Sequence, residues 1–189
     1  KGFSYFDCFV DDARLVIANA LLAQNKGAII LTRTAFLAAC RENGIWKIEL
    51  KDTFSQKIFY RYAKIVINVG GPWVKEVQDK IVDTELDKGS HIVVPKMYEG
   101  DFAYILQNTD NRVVFTIPFL EQFTLIGTTD IKLTENPAAV KITCAEEDYL
   151  CNVIKHYFKK PLSKTDIVWS YAGVRCLQAS SEKIPATIT

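Results

Sequence analysis

Apolar and polar positions follow two distinct rhythms along the 189 residues of this chain. In the first third, Phe3 to Val10 has the aromatic bias of a short strand. Ala13 to Gln24 is apolar nearly all round, which predicts a buried helix. Asp11 and Asp12 start it at the positive end of its dipole, and Asn25-Lys26-Gly27 closes it. Ala28 to Thr32 and Ala35 to Arg41 read as extended segments. Asn43-Gly44 is a hairpin signal, followed by the alternating Trp46-Lys47-Ile48-Glu49-Leu50. A second hairpin through Lys51 to Gln56 carries Leu50 to Phe59 and Tyr60. Ala63 to Val69 is dense in β-branched residues, the pattern of a strand covered on both faces in a parallel sheet. It breaks at Gly70-Gly71-Pro72-Trp73, where a helix to about Val82 is predicted. Ligands of open α/β sheets lie at such strand ends.

The second half changes texture. His91 to Pro95, Phe102 to Gln107, Arg112 to Pro118 and Phe123 to Thr129 are short strands, with turns at Asp110-Asn111 and Glu121-Gln122. That is an antiparallel meander. Thr143 and Glu146 form a capping box before a helix to about Lys159, with Leu150, Val153, Ile154, Tyr157 and Phe158 as its apolar stripe. Pro161 stops it, and Ile167 to Tyr171 is a last strand leading to Gly173-Val174-Arg175. The fold class is therefore mixed, α/β in the first part and α+β in the second. The domain reading assigns 11–82 to a partial α/β nucleotide-binding region without its phosphate loop. Residues 1–10 and 83–189 form the antiparallel part.

Composition removes several classes. Hydrophobic residues make up 49% and charged residues 24%, which excludes disorder and collagen. Twenty-three basic residues against twenty-two acidic ones leave +1, so no net field draws nucleic acid. The longest uncharged run, Leu15 to Asn25, is too short to span a bilayer. Cys8, Cys40, Cys144, Cys151 and Cys176 include no C-x-x-C pair, and with only His91 and His156 beside them no metal site is expected. They read as reduced thiols. Lys1 in place of Met suggests an excised or processed piece.

Four segments carry candidate chemistry. His91, in Lys88-Gly89-Ser90-His91, suits a general base or a hydrogen-bonded sheet-edge residue, since free imidazole titrates near 6.5. Arg175 suits paired hydrogen bonds to phosphate or carboxylate, or a surface ion pair. Gly127-Thr128-Thr129-Asp130 offers two hydroxyls and a carboxylate at a turn, and Gly70-Gly71 permits close backbone approach. His156, beside Lys155 and Lys159, reads as a solvated surface residue.

These segments occur together in a known order. With Val10 to Leu15, Asn68 to Trp73 and Ala103 to Asn108, they resemble FAD-dependent glycerol-3-phosphate dehydrogenases, of the D-amino-acid-oxidase-like flavoproteins. The resemblance implies an FAD-binding domain and an antiparallel sheet over the flavin. It also implies oxidation of sn-glycerol 3-phosphate to dihydroxyacetone phosphate, with electrons passing to quinone. By that resemblance His91 is the base, Arg175 grips the phosphate, Phe36 touches adenine through its backbone, and Gly70 and Gly71 line the cofactor's phosphates. A peripheral position on the inner face of the cytoplasmic membrane is implied for the full-length protein, and a homodimer is admitted. A glycerol-3-phosphate oxidase using dioxygen and a non-catalytic anion-binding domain are the alternatives. Val69 and Gly70 depart from the usual alanine and small residue, and Cys176 stands where proline is usual. Without the N-terminal FAD fingerprint, the piece alone is expected to be inactive.

Overall fold

The computed structural model describes residues 2–77 and 83–179. Contacts divide the chain into two units, Lys1–Ile67 and Asn68–Thr189.

The first unit holds α1 (Asp12–Asn25) and the antiparallel sheet β1 (Thr34–Glu42), β2 (Ile45–Asp52) and β3 (Ile58–Ala63). Asp11 caps α1, its carboxylate accepting from the Arg14 amide at 3.0 Å. The β1–β2 turn falls at Asn43-Gly44, both with positive φ, as an Asn-Gly hairpin requires. Three expectations fail here. Helix α1 has no buried residue. Phe3–Val10 and Ala28–Thr32 form no strand. Past Ala63 the chain leaves the sheet, and Ile65, Ile67 and Val69 are exposed. Apolar, β-branched composition signals what a segment gains from a cover, whereas a strand also needs a hydrogen-bonded neighbour. No described strand lies alongside Lys64–Val69, so the parallel strand does not form.

The second unit is built on β4 (Thr84–Pro95). The strands β5 (Tyr104–Gln107), β6 (Val113–Phe119) and β7 (Phe123–Gly127) form a meander, but the first strand of the expected four, His91–Pro95 in β4, pairs with β7 instead of β5. Strand β9 (Trp169–Gln178) runs along one edge of β4 from Thr84 to Val93. On the other edge, β7 pairs with His91–Pro95 and β8 (Ile131–Lys132) with Asp87–Lys88. Every strand pairing among the described residues is antiparallel. The last strand is longer than the sequence suggests and contains Gly173-Val174-Arg175, so Arg175 lies inside the sheet rather than in a loop beyond it.

Helix α3 (Cys144–Tyr157) covers one face of this sheet. Its Leu150, Cys151, Val153 and Ile154 pack with Ile92, Val94, Leu106, Val114 and Ile126 to make the core. Of the predicted stripe, Tyr157 is exposed and Phe158 half-buried. The capping box at Thr143 and Glu146 is present as expected. A 3-10 turn at Gly71–Trp73 leads into the short α2 (Val74–Val77) and rests against β9. The rest of the helix predicted to Val82 lies outside the described residues. No described helix is long and apolar enough to cross a membrane.

Candidate active site

Successive side chains of a strand point to opposite faces, so the pleat of β4 divides Lys88-Gly89-Ser90-His91 in two. Lys88 and Ser90 share the buried face of Ile92 and Val94, toward α3, whereas Gly89 and His91 share the opposite, front face with Asp87. Register with β9 extends that front face in pairs: Asp87 opposite Arg175, Gly89 opposite Gly173, and His91 opposite Tyr171. The sheet thus places His91 and Arg175 on one face, four residues apart along β4, or about 13 Å between backbones. Side chains shorten that distance. The Arg175 Nη2 donates to the Thr128 hydroxyl at 3.5 Å and would meet a Cβ at Gly89 at 3.1 Å, so the guanidinium leans over Gly89 toward His91. Gly89 is two residues from His91, about 7 Å.

Glycine makes this floor. At Gly89 a methyl would collide with the Thr128 hydroxyl, and at Gly127 it would lie 2.7 Å from Cγ and 2.8 Å from Nε2 of His91. Both positions are closed to any other residue unless their neighbours move. The imidazole therefore lies over the Gly127 backbone, and Tyr171 stacks on it with centroids 4.9 Å apart and planes 6° from parallel. Trp169 continues the aromatic row 5.3 Å beyond Tyr171. Phe115, Leu125 and Ile117 complete the front face across β6 and β7 by register.

Electrostatics on the front face is mixed. Burial pushes the Asp87 carboxyl above its ordinary pKa, and Asp130 and Glu85 add to that, while Arg175 and Lys132 oppose it. Behind the sheet the order is stronger. The Glu146 carboxylate, 2% exposed, receives Lys88 Nζ at 2.7 Å, Ser90 Oγ at 2.7 Å and Thr129 Oγ1 at 2.8 Å. Burial raises its pKa, but hydrogen bonds from Lys88, Ser90 and Thr143 outweigh that and hold it down at about 2. Lys88 also donates to the Lys141 carbonyl at 3.0 Å.

The remaining predicted positions fall as follows. Gly70 and Gly71 form the turn before α2, fixed by Asn68, whose Oδ1 accepts from the Gly70 amide at 3.1 Å and whose Nδ2 donates to the Val74 carbonyl at 2.9 Å. Gly71 has φ +53, with open space where a side chain would project. This turn rests on β9, the strand of Arg175. Phe36 is half-buried in β1 opposite Leu50 and belongs to the first unit. His156 is exposed on α3. The sequence places Gly89 and Gly127 in candidate segments and Glu146 in a helix cap without showing what each does, and it gives Tyr171 no role. A glycine inside a strand signals close approach, which applied to Gly127; nothing local signalled Tyr171.

Residues 1–186 match the family model described as FAD dependent oxidoreductase. The chain is 47% identical to the aerobic glycerol-3-phosphate dehydrogenase of Escherichia coli (strain K12), an alignment covering 100% of this chain and 39% of the relative. Against the D-erythritol 1-phosphate dehydrogenase of Brucella abortus (strain 2308) identity is 42%, again over 100% of this chain and 39% of the relative. Among solved structures, the glycerol-3-phosphate dehydrogenase from Bacillus halodurans complexed with FAD superposes with a TM-score of 0.79 at 29% identity. That superposition covers 91% of this chain and 36% of the other. The chain spans about 39% of the length of the curated relatives.

Proposed function

The chain belongs to the FAD dependent oxidoreductase family, and from that premise we propose that it is the central part of a flavoenzyme oxidising sn-glycerol 3-phosphate to dihydroxyacetone phosphate. The observation that carries this reading is the shared front face, where His91 and Arg175 flank a floor of glycines.

The residues present suit a flavin dinucleotide. A flat ring system asks for a face with few projecting groups, and Phe115, Ile117, Leu125 and Tyr171 with the open position at Gly173 answer that on the front face. The Asn68-braced turn commits the Gly70 amide to Asn68 but leaves open space over Gly71, which allows a phosphate to approach the backbone closely. In this reading Gly70, Gly71 and the backbone of Phe36 hold the cofactor. Residues 11–82 belong to its binding region, and 1–10 with 83–189 to the substrate side. When bound, FAD supplies a hydride acceptor.

The chain's own residues supply the rest. Arg175 binds the substrate phosphate through paired hydrogen bonds, and Thr128 steadies the guanidinium. Gly173, with nothing within 4 Å of where a side chain would project, leaves space for the three-carbon backbone beside the anion site. An imidazole nitrogen of His91 takes the proton of the secondary hydroxyl as the adjacent C–H bond gives up hydride, leaving a ketone. Tyr171 and Gly127 hold the ring plane for that transfer.

Quinone as electron acceptor, peripheral contact with the cytoplasmic membrane and a homodimer are proposals of the same kind, supported by family likeness. The test is to prepare the complete flavoprotein. A yellow protein that reduces a quinone-like dye with sn-glycerol 3-phosphate supports the reading. Preference for erythritol 1-phosphate would reassign the substrate, and stoichiometric peroxide the acceptor. A colourless, inert protein would end it.

A further inference from the structure

Among the described residues of the second unit, the buried charge with the fullest set of hydrogen bonds takes no direct part in the proposed chemistry. One oxygen of Glu146, Oε1, accepts from both Ser90 Oγ at 2.7 Å and Thr129 Oγ1 at 2.8 Å. The two hydroxyls belong to different segments, β4 and the stretch after β7. The two segments are also bound to each other: the Ser90 amide donates to Thr129 Oγ1 at 2.9 Å, and the Thr129 amide to the Ser90 carbonyl at 3.2 Å. The next residue in one direction is His91. The preceding residue on the other segment is Thr128, which receives Arg175. The other oxygen, Oε2, is held by Lys88 at 2.7 Å and by the amide and hydroxyl of Thr143 at 2.8 Å, so the carboxylate cannot shift without breaking the start of α3.

We propose that Glu146 is a positioning residue that sets, from behind the sheet, the spacing between the imidazole of His91 and the guanidinium of Arg175; this rests on the functional reading given above. The Lys88 bond and the apolar packing of Leu150, Val153 and Ile154 already hold α3 on the sheet. The Ser90 and Thr129 bonds add something that helix anchoring does not need, a rigid tie between the segment of His91 and that of Thr128, whose hydroxyl receives Arg175 from β9. A ligand engaging both groups feels that spacing. An anion engaging Arg175 alone does not.

The test uses the complete FAD-loaded protein and compares Thr129→Val, which cuts both hydroxyl bonds, with Thr129→Ser, which keeps them while losing the buried methyl. Calorimetric titration with sn-glycerol 3-phosphate reads both groups, and inorganic phosphate reads Arg175 alone. In Thr129→Val, affinity for sn-glycerol 3-phosphate is expected to fall about tenfold, with phosphate affinity within twofold of wild type and kcat down about tenfold. Thr129→Ser is expected to restore both ligand affinity and kcat to within twofold. Glu146→Gln should repeat the pattern if it folds, and the Thr129 pair stands without it. Equal loss for both ligands, no loss for either, or no rescue by serine would overturn the proposal. If wild type binds neither ligand, the functional reading falls first and takes this inference with it. Wild-type binding with variants that match it removes the inference alone.

Discussion

Replacing Glu146 with glutamine keeps its shape and removes its charge. The carboxylate is held at about 2 in the folded chain against 4.5 when exposed. That difference corresponds to about 3 kcal/mol of folding stability at neutral pH. The variant also leaves the Lys88 ammonium, whose side chain is 9% exposed, without its counter-charge. Breaking a buried pair from one side costs about 3–5 kcal/mol, so both routes agree on roughly 3 kcal/mol. The pH dependence carries a sign. A carboxylate with a depressed pKa contributes fully above its unfolded value and loses that contribution as pH falls toward its folded value. Wild type should therefore lose about 2 kcal/mol from this group between pH 7 and pH 3, which the glutamine variant does not lose. Denaturant unfolding at both pH values measures it: a gap of about 3 kcal/mol at pH 7 narrows to about 1 kcal/mol at pH 3. Adding Lys88→Met should recover part of the pH 7 loss, because it removes the stranded charge. A gap below 1 kcal/mol at pH 7, or one that does not narrow on acidification, would refute the reasoning.

Three further outcomes follow from the front face. Gly127→Ala drives a methyl into the His91 ring and should lower kcat at least tenfold while flavin absorbance is retained, a loss read by steady-state kinetics per bound flavin. Arg175→Ala should raise KM for the phosphate substrate about a hundredfold, whereas His91→Asn should lower kcat by 10²–10⁴ with a smaller change in KM; equal effects on both constants would argue against separate roles. Asp87→Asn removes a carboxylate whose raised pKa marks it as costly at neutral pH and which faces Arg175 across the strands. It should raise the melting temperature and lower KM about twofold with kcat unchanged, as thermal scans and kinetics will tell.

What the sequence made legible was local. The Asn43-Gly44 hairpin and the Thr143–Glu146 box each follow from residues at most three apart, and both form as read. The meander was legible because its turns recur at short intervals. Partners distant in sequence were not legible. Nothing around Glu146 points to Lys88, 58 positions away, and the box hid a second role for the same carboxylate. The motif at Lys88–His91 reads as one unit in sequence, yet the pleat sends its lysine and serine behind the sheet and its glycine and histidine in front. Gly173 looked like the end of a strand because glycine weakens strands in general. In β9 it lies opposite Gly89 and continues the pairing to Arg175. The apolar runs at Ala13–Gln24 and Ala63–Val69 misled for another reason: composition records a need for cover, but not where the cover comes from.

The claim on which the rest depends is that one ligand bridges His91 and Arg175 across the glycine floor. A crystal structure of the complete flavoprotein soaked with sn-glycerol 3-phosphate tests it most directly. Phosphate oxygens are expected within about 3 Å of the Arg175 guanidinium, and the secondary hydroxyl within hydrogen-bond reach of the His91 imidazole. A phosphate held elsewhere, or a hydroxyl turned away from His91 with Arg175 engaged by protein groups alone, would contradict it.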